Sequence, residues 1–145
     1  MKDLKYLFAY TVPVAAFISF ASTGVGTYSA VIYAFVVLPF LDVVLGKNTT
    51  NLDEQARASK AFNVLFDWML YFNLPIVFGL MSYFLFQVTT QSYTTSEWIG
   101  LSLSAGILLA TNGINVAHEL GHRQSLSERT MSKILYIPCL YMHFY

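Results

Sequence analysis

His118 and His122, four residues apart in the stretch "NVAHELGHRQ" (residues 115–124), are the residues of this sequence best placed to do chemistry. On an α-helix, residues i and i+4 stand on one face with Cβ atoms about 6 Å apart, so both imidazoles can turn toward a common point. That is a chelating geometry, and two chemistries use it. The string H-E-L-G-H fits H-E-x-x-H, in which the histidines bind zinc and the glutamate, here Glu119, activates water for peptide hydrolysis. Imidazole serves an oxygen-activating iron site equally well, and there several histidine clusters share the irons. Spacing alone leaves both open. Glu119 also stands four residues before Arg123, so these two can pair on another face. Asn112 and Asn115, just upstream, can bond neighbouring backbone or orient an imidazole. The plain alternative, two interfacial histidines holding nothing, is disfavoured because unpaired imidazoles at a membrane boundary want partners.

The elements that must position this pair are membrane helices. Of the 145 residues, 56% are hydrophobic and only 11% charged. A soluble domain has about a quarter of its residues charged, so the composition fits an integral membrane protein. The formal net charge is zero and no basic block stands out, which argues against nucleic-acid binding. A lone Cys139 supplies neither a disulfide framework nor a thiolate metal site, and reads as a small residue in an apolar segment.

Since about 20 apolar residues cross a bilayer's hydrocarbon core, four runs are expected to span, at about 6–21, 27–45, 62–88 and 98–117. A fifth apolar stretch, 134–145, is too short. The first run is expected to be a retained helix and not a cleaved leader, because no A-x-A-like site follows it. Each of the first three spans contains one proline, Pro13, Pro39 or Pro75, and local kinks are expected there. The polar connection "GKNTTNLDEQARASK" is expected to become helical near "LDEQARASKAF", with Asn51 as its N-cap. All eight basic residues fall on one side of a four-span arrangement, which predicts that the N-terminus and the histidine pair are cytoplasmic. Trp68 and Trp98 lie near span ends, where interfacial anchors belong, and Asp42 and Asp67 are expected at headgroup level.

The run "NVAHELGHRQSLSERTMSKILYIPCLYMHFY" resembles the membrane-bound alkane 1-monooxygenases, which are related to membrane fatty acid desaturases and hydroxylases. In that family N-x-x-H-E-L-G-H, followed by Lys or Arg, ends a transmembrane helix. A segment ending in H-F and a second box, E-H-x-x-G-H-H, come next. The earlier "LPFLDVVLGKNTTNLDE" is similar to the family's linker pattern, with Pro39, Asp42, Gly46 and Asn51 matching, whereas Asn48 replaces the usual acid and Leu52 the usual proline.

The resemblance implies terminal hydroxylation of a medium- or long-chain alkane to a primary alcohol, using O2 and a histidine-rich di-iron centre reduced by rubredoxin. It implies an all-α integral membrane helical bundle in the bacterial inner membrane, with about four of the expected six transmembrane helices in this chain. His118 and His122 match the first histidine box and are the expected iron ligands. Asn115 and Glu119 are expected beside them as supporting residues, and Ala34 and Phe35 as possible channel walls for the apolar substrate. His143 is expected to be structural. Residues 1–145 would then form the N-terminal part of one hydroxylase domain, truncated before the second box and inactive alone. An intramembrane zinc metalloprotease and a non-catalytic membrane protein that binds a partner are the competing readings.

Overall fold

The computed structural model describes residues 4–45 and 64–145. The described residues form helices joined by turns, with no strand among them. The expected helix near "LDEQARASKAF" and its Asn51 cap lie outside the described residues.

A 3₁₀ stretch, Leu4–Tyr10, leads into α1 (Thr11–Ala21). Helix α2 (Gly24–Leu45) returns after a short break; α3 (Val64–Thr90) and α4 (Thr95–Gly121) form a second antiparallel pair. Helix α5 (Leu126–Tyr136) and a 3₁₀ turn, Met142–Phe144, complete the chain's described elements. Three of these helices, α2, α3 and α4, are long and apolar enough to cross a membrane. The first expected span is a shorter helix, apolar over Leu7–Ala21; because its lead-in Leu4–Tyr10 is 3₁₀, with a rise of about 2.0 Å per residue, the helical run to Ala21 extends about 30 Å.

The prolines explain where helical geometry changes. Pro13 sits in the first turn of α1, where its missing N–H removes no bond internal to that helix, and the stretch before it is 3₁₀. Pro39 would press its ring on the carbonyl four residues back, at Phe35. Over Tyr33–Val37 the backbone widens into a π-helical turn, with the Leu38 N–H bonded to the Tyr33 carbonyl. Pro75 lies inside α3, which nevertheless runs uninterrupted to Thr90.

Three long-range contacts fix the ends of the bundle. At one end, the Gly24 N–H at the start of α2 donates to Glu97 Oε1 at 2.6 Å, and Glu97 also closes a capping box with Thr94 at the start of α4. At the other end, the Tyr10 hydroxyl donates to the Met69 carbonyl at 2.5 Å, and Arg123 pairs with Asp67. Helices α1 to α4 therefore alternate in direction, and the C-terminal turn of α4 lies at the same end as the start of α3.

The upper core is built on small residues. Ala15, Ala16, Ala30 and Ala105 surround Phe20, Leu101 and Leu108 where α1, α2 and α4 meet. Small side chains let apolar helices approach closely, which drives association where no hydrophobic effect operates between them. Ser19 Oγ accepts the Ala30 N–H at 2.9 Å, and Ser104 Oγ donates to the Thr27 carbonyl at 2.9 Å, so buried polar groups stitch the same seam. Gly100 marks the tightest point, since a Cβ there would collide with Thr27 Oγ1 and the Tyr28 ring. Gly106 on the same helix has nothing within 4 Å of its position. Replacing Gly100 with Leu is expected to destabilise the bundle by about 1–3 kcal/mol through overpacking. Gly106→Leu is expected to cost nothing measurable; reversible unfolding in mixed detergent micelles reads both.

Candidate metal centre

The histidine pair sits on the last turn of α4. The last turn of α4 closes on its own backbone, with the His122 N–H bonded to the His118 and Glu119 carbonyls and the Arg123 N–H to the Leu120 carbonyl, and it is supported from outside. Here the support comes from α5: Ser132 Oγ donates to the Ala117 carbonyl at 2.6 Å, while Leu120 packs with Leu135 and Tyr136 in the lower core. Helix α5 is itself held to α3, where the Tyr71 hydroxyl donates to the buried Glu128 carboxylate at 2.9 Å. Arg123 follows the pair and is flanked by two carboxylates, Asp67 Oδ1 at 3.3 Å and Glu119 Oε1 at 3.6 Å.

His118 and His122 place their Nε2 atoms 3.1 Å apart, with the two rings nearly perpendicular. With metal–nitrogen bonds of about 2.1 Å, that separation subtends about 95° at an ion, an angle suited to adjacent positions in a coordination shell. In the absence of an ion the same distance suits one N–H···N hydrogen bond between the rings. Both histidines are exposed and open onto a cavity of about 250 Å³ that Arg129, Tyr136, Phe144 and Tyr145 also line. Phe144 packs on His118 with ring centroids 5.5 Å apart. Arg129 Nε donates to the Tyr145 hydroxyl at 3.0 Å, and Lys133 Nζ lies 4.8 Å from the Tyr145 ring centroid.

Two nitrogen donors on successive turns fit part of a metal shell, not a whole one. Among the described residues no group of three or more His, Cys, Asp or Glu side chains converges on a common point.

The other residues singled out in the sequence fall in several places. Glu119 pairs with Arg123, as its spacing predicts, and lines a different cavity, about 500 Å³ between α1, α3 and α4. That direction gives no support to a water-activating base beside the histidines. Asn115 is exposed, one turn before His118. Asn112 bonds neither backbone nor imidazole; its Nδ2 donates to Asn73 Oδ1 of α3 at 2.8 Å, with both amides buried. Asp67 is an ion-pair partner, whereas Asp42 is exposed. Ala34 and Phe35 lie in the π turn of α2, with Phe35 71% exposed, and line neither of the two cavities described above. His143 meets the Tyr141 ring edge-on and does not line the cavity of the pair. Arg129, Tyr136, Phe144 and Tyr145 were not legible as neighbours of the pair. The available signal was the amphipathic spacing of Arg129 and Lys133 ahead of a terminal aromatic cluster.

Cys139 packs against α4, its thiol 3.7 Å from the Leu109 carbonyl and 3.4 Å from the Leu135 carbonyl of α5, and burial pushes its pKa up. The neutral thiol is favoured in the fold, so any stability it contributes is present at neutral pH and lost as pH rises through the raised value. Alkylation by a maleimide at pH 8 is therefore expected to be much slower in the folded protein than in the denatured chain. Equal rates would contradict the packing.

Fold and site together define a helical membrane protein with a histidine pair aimed at one point at one end of its bundle. No family model matches the chain. It is 31% identical to the alkane 1-monooxygenase of Pseudomonas putida over 127 residues, 85% of this chain and 31% of that protein. It is 29% identical to alkane 1-monooxygenase 1 of Alcanivorax borkumensis over 75% of this chain and 27% of that protein. The alkane 1-monooxygenase of Ectopseudomonas oleovorans is 28% identical over 85% of this chain and 31% of that protein. These similarities assign the chain to the alkane 1-monooxygenase family. The chain spans about a third of the length of the curated relatives it matches.

Proposed function

We propose that this chain is the N-terminal part of an enzyme that inserts one oxygen atom of O2 into the terminal C–H bond of a medium- or long-chain alkane, giving a primary alcohol. The observation that carries the reading is the 3.1 Å approach of His118 and His122 Nε2 atoms at the end of an apolar helix, in a chain whose relatives are named alkane 1-monooxygenases. The pair would supply two imidazoles to a di-iron centre, with the remaining ligands coming from outside the described residues. Iron would supply the oxygen-activating chemistry. The chain's own part is to fix two nitrogen donors on a helix end, to keep one side of the site apolar with Phe144 and Tyr136, and to sit in lipid, where alkanes partition.

The 145-residue chain alone is inactive on this reading, because two imidazoles leave most of each iron's shell open. Reductant arrives from the aqueous side, with rubredoxin as donor. On this reading that end faces the cytoplasm at a bacterial inner membrane, a reading supported by the basic residues near the pair, Arg123, Arg129 and Lys133.

The test is hydroxylation by the complete enzyme in membranes, supplied with O2, a medium-chain n-alkane and NAD(P)H-reduced rubredoxin. Primary alcohol is expected from the wild type. His118→Ala and His122→Ala are each expected to lower the rate by more than about 100-fold. Zinc in place of iron in the purified enzyme, with no alcohol formed, would overturn the proposal.

A further inference from the structure

The direction of the histidine pair is set upstream of it. Helix α4 is α-helical over Thr95–Leu108, π-helical over Leu109–Ile114 and α-helical again over Asn115–Gly121. The Asn115 N–H bonds to the Ala110 carbonyl, five residues back. Such a turn absorbs one extra residue, and π turns of this kind are frequent at functional sites.

Burial along α4 records the extra residue. The upper half buries Leu101, Ser104, Ala105 and Leu108. A continuous α-helix would carry that stripe on through positions 112, 115, 116 and 119. Beyond Asn112, however, the buried positions are Gly113, Ala117 and Leu120, while Asn115 and Glu119 are exposed. The stripe has moved by one residue. Since each residue of an α-helix turns about 100°, the lower half is rotated by about that angle. Without the π turn, His122 would fall within about 40° of the direction of Leu108 and point toward the packed side of the bundle. With it, His122 stands about 140° away and opens onto its own cavity.

A buried amide pair lies within the wide turn. Asn112 Nδ2 donates to Asn73 Oδ1 on α3 at 2.8 Å, and Asn73 Nδ2 is anchored in turn on the Met69 carbonyl at 2.7 Å. Thr111 Oγ1 donates to the Ile107 carbonyl at 2.7 Å. On the neighbouring face Gly113 admits Cys139 Sγ, which a Cβ would meet at 2.7 Å. A buried amide deprived of its partner costs about 1–3 kcal/mol, so the Asn73–Asn112 bond penalises any rotation that would withdraw Asn112 from α3.

We propose that Asn112, through Asn73, is a positioning residue that holds the π turn and thereby aims His118 and His122 out of the bundle core. The inference rests on the reading of the pair as metal ligands. Its test uses Cu²⁺ bound by the pair in the 145-residue chain in detergent, with a nitroxide on Phe72→Cys, an exposed position of α3, in a Cys139→Ser background. Electron paramagnetic resonance reads the copper–nitroxide distance. A rotation of about 100° at a helix radius of 5–6 Å moves the pair by about 8 Å. Asn112→Leu and Asn73→Leu are each expected to change the distance by several ångströms while Cu²⁺ stays bound and helicity by circular dichroism matches the parent. An unchanged distance in both variants overturns the positioning role, as does loss of the folded bundle in both, which would make the amides a general stability element. Failure of the parent chain to bind Cu²⁺ through His118 and His122 instead overturns the ligand reading itself.

Discussion

The last turn of α4 has to remain helical and fixed in direction where the apolar bundle gives way to water, and the rest of the site depends on that constraint. An i, i+4 histidine pair chelates only while the turn between its members is intact. Helix termini fray unless they are capped and packed. The His122 and Arg123 N–H groups bond the last carbonyls, and Ser132 ties the turn to α5 by donating to the Ala117 carbonyl at 2.6 Å. Leu120 buries its side chain against Leu135 and Tyr136. Arg123 adds a charged tether to α3, with Asp67 at 3.3 Å. Arg123 and Asp67 are each about one-third exposed, so this contact contributes orientation more than stability. Packing by α5 is therefore the principal support.

The arrangement separates two tasks along one helix. The upper half of α4 meets α1 and α2 through Ala15, Ala16, Ala30 and Gly100, where close approach matters more than side-chain volume. Its lower half presents polar and ionisable groups at the end shared with the start of α3. Between them the π turn changes the register, so that one continuous helix satisfies a packed seam above and an outward-facing pair below. Helix α2 makes a contrast: its outer residues Phe35, Val36, Phe40 and Val43 are all exposed, as befits a surface in contact with lipid or with further helices.

Much of this was legible in the sequence, for physical reasons that differ by feature. Apolar length gave α2, α3 and α4, because hydrocarbon thickness fixes the number of residues needed. In the first run the α-helix begins only at Thr11, with Pro13 in its first turn and a 3₁₀ stretch ahead of it. The histidine pair and the Glu119–Arg123 contact followed from i, i+4 spacing, a local property. Asn112 was ambiguous because its partner, Asn73, lies on another helix. The π turn left no local signature at all; it emerges from the mismatch between two separately packed halves of α4. Arg129, Phe144 and Tyr145 escaped notice for the same reason, since only the fold returns the end of the chain to the last turn of α4.

The central claim is that His118 and His122 together ligate one iron at the end of α4. X-ray absorption at the iron edge of the iron-loaded complete enzyme tests it most directly. The scattering of coordinated imidazole, averaged over the two irons, is predicted to fall by about one ring per iron in a His118→Ala, His122→Ala double variant and by about half that in either single variant. Imidazole scattering unchanged by the double substitution would show that the iron is held elsewhere and would contradict the account.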